Sequence, residues 1–264
     1  MIRTYRAELR RLTSRRGLLV AAFLLLAAGF GGPALVFSAA KPAARVNPGG
    51  SFDPTVESLS AAGGGTAVFQ YLAAFMGTLM FVLFTGLLAA EHARGTYRTM
   101  LLRQPGRTAL LAGKLAALLT YAGTLLALLE IVMWVAGRFE AGIGDVSTAK
   151  WTSADAIPAA LGDYLTVLAW VVGYAVYALA LATLLRSVPL ALAVGIGWAG
   201  PIEHIVSDSW TSAHRWFPGL LLEEVGQGGT GLVSLARALG TTAAYVAVAA
   251  GLTVLVFRRR DITA

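Results

Sequence analysis

Cysteine is absent from all 264 residues, which excludes a disulfide framework, a thiolate metal site and a cysteine nucleophile. Charge is scarce too. Asp, Glu, Lys and Arg make up 13% of the chain, about half the share of an ordinary soluble domain. Hydrophobic residues make up 57%, and the mean hydropathy is +0.69. They cluster in uncharged runs long enough to cross a bilayer core of about 30 Å. That combination predicts an all-α membrane protein.

The net charge is +7 and the isoelectric point near 10.0, values that in a soluble protein point to nucleic acid. Here most Lys and Arg flank the apolar runs, where positive charge sets orientation, so no nucleic-acid partner is expected. Arginine outnumbers lysine, and Ala and Gly abound, which reads as the coding bias of a GC-rich bacterial genome. Arg3 to Arg16 followed by an apolar run resembles a secretory leader. The run from Gly17 to Ala40 exceeds a leader's apolar region of about 7–15 residues, so it reads as a first span.

Residues 1–16 predict a basic amphipathic helix. Ile2, Tyr5, Leu9 and Leu12 recur at helical spacing while Arg3, Arg6, Arg10 and Arg11 take other faces, an arrangement suited to the headgroup layer. The plainer alternative is a solvated positive flank. Six spans follow, over 17–40, 67–90, 108–136, 161–185, 188–201 and 232–257, in a single transmembrane domain. Gly32-Pro33 is expected to bend the first. Residues 41–66 and 137–160 read as polar loops, and Arg186-Ser187 as the shortest turn. The stretch 202–231 mixes Ile202, Trp210, Trp216, Phe217 and Leu220 to Leu222 with Glu203, Asp208, Glu223 and Glu224. It predicts an extracellular re-entrant hairpin before span six. Residues 1–16, 91–114, the Arg186 turn and the C-terminus hold fifteen of the 21 basic residues. Both termini are therefore expected in the cytoplasm.

The link between spans two and three, from Glu91 to Arg107, contains Arg94, Arg98 and Arg103 and breaks at Pro105-Gly106. It reads as a short amphipathic helix lying against the membrane on the cytoplasmic side; a simple charged connector is the competing reading. Glu-x-x-x-Gly-Thr, a leucine pair, Pro, Arg and a later Lys resembles the pattern of ABC-2-type permeases, the membrane subunits of bacterial ABC exporters. Glu91, Gly95, Thr96, Leu101, Leu102, Pro105, Arg107 and Lys114 fall on it. The basic N-terminal helix, the hairpin and the closing Phe257-Arg258-Arg259-Arg260-Asp261 agree. The motif itself covers about a tenth of the chain. The resemblance implies a cytoplasmic coupling helix between spans two and three, docked on a separate ABC ATPase in two copies. It also implies a homodimer or paired permease in the bacterial plasma membrane.

This chain has no nucleotide motif: Gly113-Lys114-Leu115 lacks both the upstream glycine and the hydroxyl that holds magnesium. ATP and magnesium are thus expected in the partner, no cofactor here, and no enzymatic activity of the chain's own. Gln70, Thr78 and Thr85 give span two a polar face, and Trp170, Tyr174 and Tyr177 follow helical spacing on span four. These six are a candidate substrate path for a small amphiphile, drug or peptide, with helix packing as the competing reading. Glu130 and Arg237 lie at similar depth and are a candidate intramembrane ion pair. His204, Asp208 and His214 make too thin a set for metal. Glu223-Glu224 resembles the glutamate pair of CAAX-type membrane proteases, but Gly228 stands where that family has Arg. A secondary transporter or membrane scaffold is the alternative function, although repeated halves and mid-membrane ionisable groups are not evident.

Overall fold

The computed structural model describes residues 1–43, 54–93 and 106–259, with the backbone alone at 73–80 and 89–93. Among the described residues the regular structure is helical, apart from an isolated bridge between Lys41 and Thr55. In chain order the helices are α1 (Ile2–Leu12), α2 (Arg15–Ala39), α3 (Val56–Leu59), α4 (Gly64–Ala93), α5 (Arg107–Glu140), α6 (Ala156–Leu185), α7 (Val188–Gly197), α8 (Glu203–Ser209), α9 (Pro218–Gly226) and α10 (Leu235–Arg259).

Among the described residues five segments are long and apolar enough to cross a membrane: Arg15–Ala39, Arg107–Gly144, Ala156–Leu185, Val188–Ser209 and Leu235–Arg259. The expected count of six is therefore met only to five. α4 is a helix of 30 residues, about 45 Å at 1.5 Å per residue, with part of its side chains outside the description.

Helix boundaries follow local chemistry. The single basic helix expected over 1–16 instead ends at Leu12. Ser14 takes extended geometry and accepts the Gly17 N–H at 3.3 Å, which starts α2 at Arg15. The same device opens α7, where Ser187 accepts the Leu190 N–H at 3.4 Å and Pro189 sits in the first turn. The expected stop of span five at Pro201 is also corrected. A π-turn over Trp198–Ile202 absorbs that proline, a distortion that accommodates the missing N–H, and the helix continues as α8. α2 likewise runs through Pro33.

α6 is the central helix: 67% of its most apolar window is buried, against 11% for α10. α4 lies along it, with Phe81, Trp170 and Tyr174 in edge-to-face contact. α2 packs on α5 at Gly29 and meets α4 at Gly32, where the missing side chains allow close approach. A Cβ at Gly29 would lie 2.4 Å from Val132 Cγ1, and one at Gly32 2.2 Å from Leu72 Cδ1. The outward faces of α2 and α10 carry Leu19, Phe23, Val248 and Leu252 in the open, surfaces suited to lipid rather than water.

α1 and the last turn of α10 both meet the start of α5, which defines a terminal end of the bundle; the opposite end holds the described loops. There the 137–160 segment is less polar than its composition predicts. α5 extends to Glu140, and Trp151 is buried, stacked on Phe37 at 6.2 Å. The Trp151 indole N–H donates to the Leu59 carbonyl at 2.8 Å. Residues 198–233 fold back into the bundle: α9 meets Gly173 and Trp170 on α6, the middle of that 30-residue helix.

Candidate functional site

The terminal end is built on the first two turns of α5. Gly113 presents bare backbone to α1, since a Cβ there would lie 2.8 Å from the Met1 carbonyl oxygen and 2.9 Å from Thr4 Cβ. One residue on, Lys114 is buried and donates to the Glu8 carboxylate of α1. Arg11 reaches the same carboxylate, Nη2 to Oε2, at 3.1 Å. Arg107 reaches the other chain end: its Nη1 donates to the carbonyls of Phe257 and Arg258 at 3.2 and 3.1 Å. α5 therefore holds the first and last helices at the point where residues 94–105 join it.

Of the residues singled out in that link, Arg107 alone is fully described. Glu91 falls on the last turn of α4 by backbone only. Arg94, Gly95, Thr96, Arg98, Leu101, Leu102 and Pro105 lie outside the described residues. The amphipathic helix expected from the sequence forms as α1, and one side of it packs into the bundle. Thr4 and Glu8 are buried against α5, while Arg3, Arg6 and Arg10 remain exposed. The lone acidic residue on a basic helix was the available signal. Its meaning required a partner 106 residues away.

The described side chains of the candidate substrate path lie on α4 and α6. Gln70 donates from Nε2 to Thr166 Oγ1 at 3.0 Å. Thr85, Trp170 and Tyr174 are buried between α4 and α6, and Tyr177 is half-buried on the same helix as Trp170. Thr78 lies on α4, its side chain outside the description. Three buried polar atoms here lack a hydrogen-bond partner, namely Thr85 Oγ1, Trp170 Nε1 and Tyr177 OH. Unpaired buried groups cost about 1–3 kcal/mol each.

The proposed pairing of Glu130 with Arg237 is not formed. Arg237 is exposed and lies over the Trp216 ring, 5.7 Å from its centroid. Glu130 has a buried, unpartnered Oε1, and its electrostatic neighbour is another acid, Asp163 on α6. Asp163 itself accepts from Thr66 Oγ1 at 2.6 Å. Similar depth along two helices did not place the side chains on facing sides.

The loop end holds a cluster that the sequence reading set aside. Glu203 is fully buried, and its Oε2 accepts the Leu220 N–H at 2.8 Å, within the first turn of α9. A carboxylate there answers both the orphan N–H groups and the positive helix end. Gly219 makes room, since a Cβ would fall 2.6 Å from that oxygen. Glu224 accepts from Thr230 Oγ1 at 2.6 Å and meets His214 Nδ1 at 3.0 Å. Glu223 meets His204 Nε2 at 3.3 Å. These acids stitch 198–233 together rather than forming a proteolytic pair. Among the described residues, no group of three His, Asp or Glu is placed to hold a metal.

Residues 46–263 match the family described as Protein of unknown function (DUF2705). The chain belongs to that family. The match overturns the resemblance to ABC-2-type permeases, for no such family is detected. The motif behind the resemblance was seven positions in one link plus Lys114, a pattern that a basic connector ending at Pro-Gly also produces, and the agreeing features were general ones of basic and apolar segments. Comparison with curated proteins finds no match.

Proposed function

We propose that this chain is the membrane-spanning permease subunit of an exporter driven by a separate cytosolic ABC-type ATPase, present in two copies. In this reading α4 supplies a sixth span, both termini lie in the cytoplasm, and residues 198–233 form a re-entrant hairpin on the outer side of the bacterial plasma membrane. Two permease subunits, identical or similar, enclose the path. The substrate is a small amphiphile, drug or peptide passing by Gln70, Thr78, Thr85, Trp170, Tyr174 and Tyr177. ATP and magnesium belong to the partner, and this chain binds no cofactor.

The observation that carries the reading is the gathering of α1 and α10 on the first turns of α5, beside the link 91–107. A push on that link moves α5, and Lys114–Glu8 and Arg107–Phe257 pass the motion to both chain ends. Glu203 and Glu224 give the opposite end a set of bonds that an opening step has to break or carry intact. In this reading hydrolysis belongs to another polypeptide, in keeping with the lack of a nucleotide motif in these residues.

Reversing charge with Glu91→Lys, or enlarging Gly95→Trp, is expected to abolish transport-stimulated ATP hydrolysis and co-purification of the ATPase while membrane insertion persists. Normal transport in both variants sinks the reading. So does transport by the purified permease alone. One observation favours the ATPase-independent alternative: Glu130 and Asp163 place two acids on adjoining apolar helices, the kind of group secondary transporters use for coupling. Uptake driven by a proton gradient in ATP-free vesicles, lost in Glu130→Gln, would decide for it.

A further inference from the structure

Beyond the transport reading, one face of α10 has a chemistry of its own. Gly251, Val254, Leu255, Arg258 and Arg259 line a groove of about 470 Å³. Their spacing of three and four residues puts them on one side of the helix, and all five are exposed. Gly251 deepens the groove, with open space where a Cβ would stand. From Gly251 to Arg258 the helix rises about 10 Å, so an apolar trough leads to two guanidinium groups at the helix end. The negative end of a helix ordinarily disfavours an anion. Here Arg107 already satisfies the carbonyls of Phe257 and Arg258 from the α5 side, which leaves Arg258 and Arg259 to face outward.

We propose that this face is a binding groove for one anionic phospholipid. Its phosphate pairs with Arg258 and Arg259, and an acyl chain lies along Leu255, Val254 and Gly251. The guanidinium fork matches a phosphate bidentately, and an apolar wall ending in basic residues at a helix end suits an anionic headgroup with its chain attached. A second copy of this chain fits less well, because two-fold pairing through this face brings Arg258 and Arg259 of both copies together.

The test is native mass spectrometry and thermal unfolding of the purified full chain with phosphatidylglycerol, with phosphatidylcholine and with inorganic phosphate. The wild-type protein should retain phosphatidylglycerol over phosphatidylcholine and be stabilised by it. Arg258→Gln with Arg259→Gln should weaken that preference on the order of tenfold. Gly251→Leu, which fills the trough and leaves both arginines, should weaken retention as well. Lys150→Gln, an exposed cation at the other end of the bundle, should leave it unchanged. Equal retention of the two lipids overturns the proposal, and so does equal stabilisation by inorganic phosphate. A Gly251→Leu variant that changes oligomeric state while binding phosphatidylglycerol normally would assign the face to a protein partner instead.

Discussion

At the terminal end of the bundle cations make the long-range ties, and at the loop end carboxylates make them. Lys114 and Arg107 reach from α5 to a carboxylate on α1 and to carbonyls on α10. At the other end Asp163 takes the Thr66 hydroxyl, Glu57 takes the Ala43 N–H at 2.9 Å, and Glu203 and Glu224 hold 198–233. The asymmetry follows the charge bias along the chain. It also shows that counting Lys and Arg as solvated flanks overstates the free charge, because two of the cations in 91–114 are spent on helix contacts.

The terminal end should be the easier to break. Lys114→Met leaves the Glu8 carboxylate buried with Arg11 alone, and stranding one member of a buried pair costs about 3–5 kcal/mol. Thermal unfolding in detergent should shift down by on the order of 10 °C for a chain of this size. Lys114→Met combined with Glu8→Met should recover more than half of the loss, since an apolar pair of similar volume replaces a buried ion pair well. A double variant as unstable as the single would mean that packing of α1, and not the charge, sets the cost.

At the loop end the corresponding change is Glu203→Ala. It strands the Leu220 N–H in a buried site, worth about 1–3 kcal/mol, while removing a carboxylate oxygen that has no partner. The net loss should be smaller than for Lys114→Met, and Glu203→Gln smaller still because an acceptor remains. The cysteine-free background lets a single Leu221→Cys report directly, through faster thiol labelling in Glu203→Ala. Unchanged labelling would show that the buried Leu220–Leu222 contacts hold α9 without the carboxylate.

Much of the architecture was legible because long apolar runs are local signals, whereas the Ser14 cap, equally local, was passed over and one helix was expected across it. The continuation of span five was not, because a proline reads as a stop until a π-turn absorbs it. The sites were harder. Lys114 and Glu203 carry no local sign of burial, Glu8 stands out only as the lone acid of a basic helix, and each acquires meaning from a partner elsewhere in the chain. The Glu130–Arg237 expectation failed for the same reason in reverse: depth is readable from sequence, while the facing side of a helix depends on packing.

A smaller effect separates the two ties made by α5. Arg107→Leu removes two bonds to the last carbonyls of α10 at a partly exposed site, and should cost about 1 kcal/mol. Global unfolding should barely move. The local consequence should be clearer, with hydrogen exchange at residues 255–259 rising several-fold while residues 2–12 keep their protection. Equal loosening of both segments would make the terminal end one cooperative unit.

The smallest expected effect lies at Arg237. Its guanidinium over Trp216 is a cation–π contact at an exposed site, worth about 0.5–1 kcal/mol. A double-mutant cycle between Arg237→Gln and Trp216→Leu should return a coupling of that size. The parallel cycle between Arg237→Gln and Glu130→Gln should return less than about 0.5 kcal/mol, the additivity expected of residues that share no contact. The two cycles share one variant, so an unfolding artefact in Arg237→Gln would appear in both and cancel from the comparison. Coupling of more than about 1 kcal/mol to Glu130 would restore the ion pair and place the loop-end cation with its terminal-end counterparts, as a tie between helices.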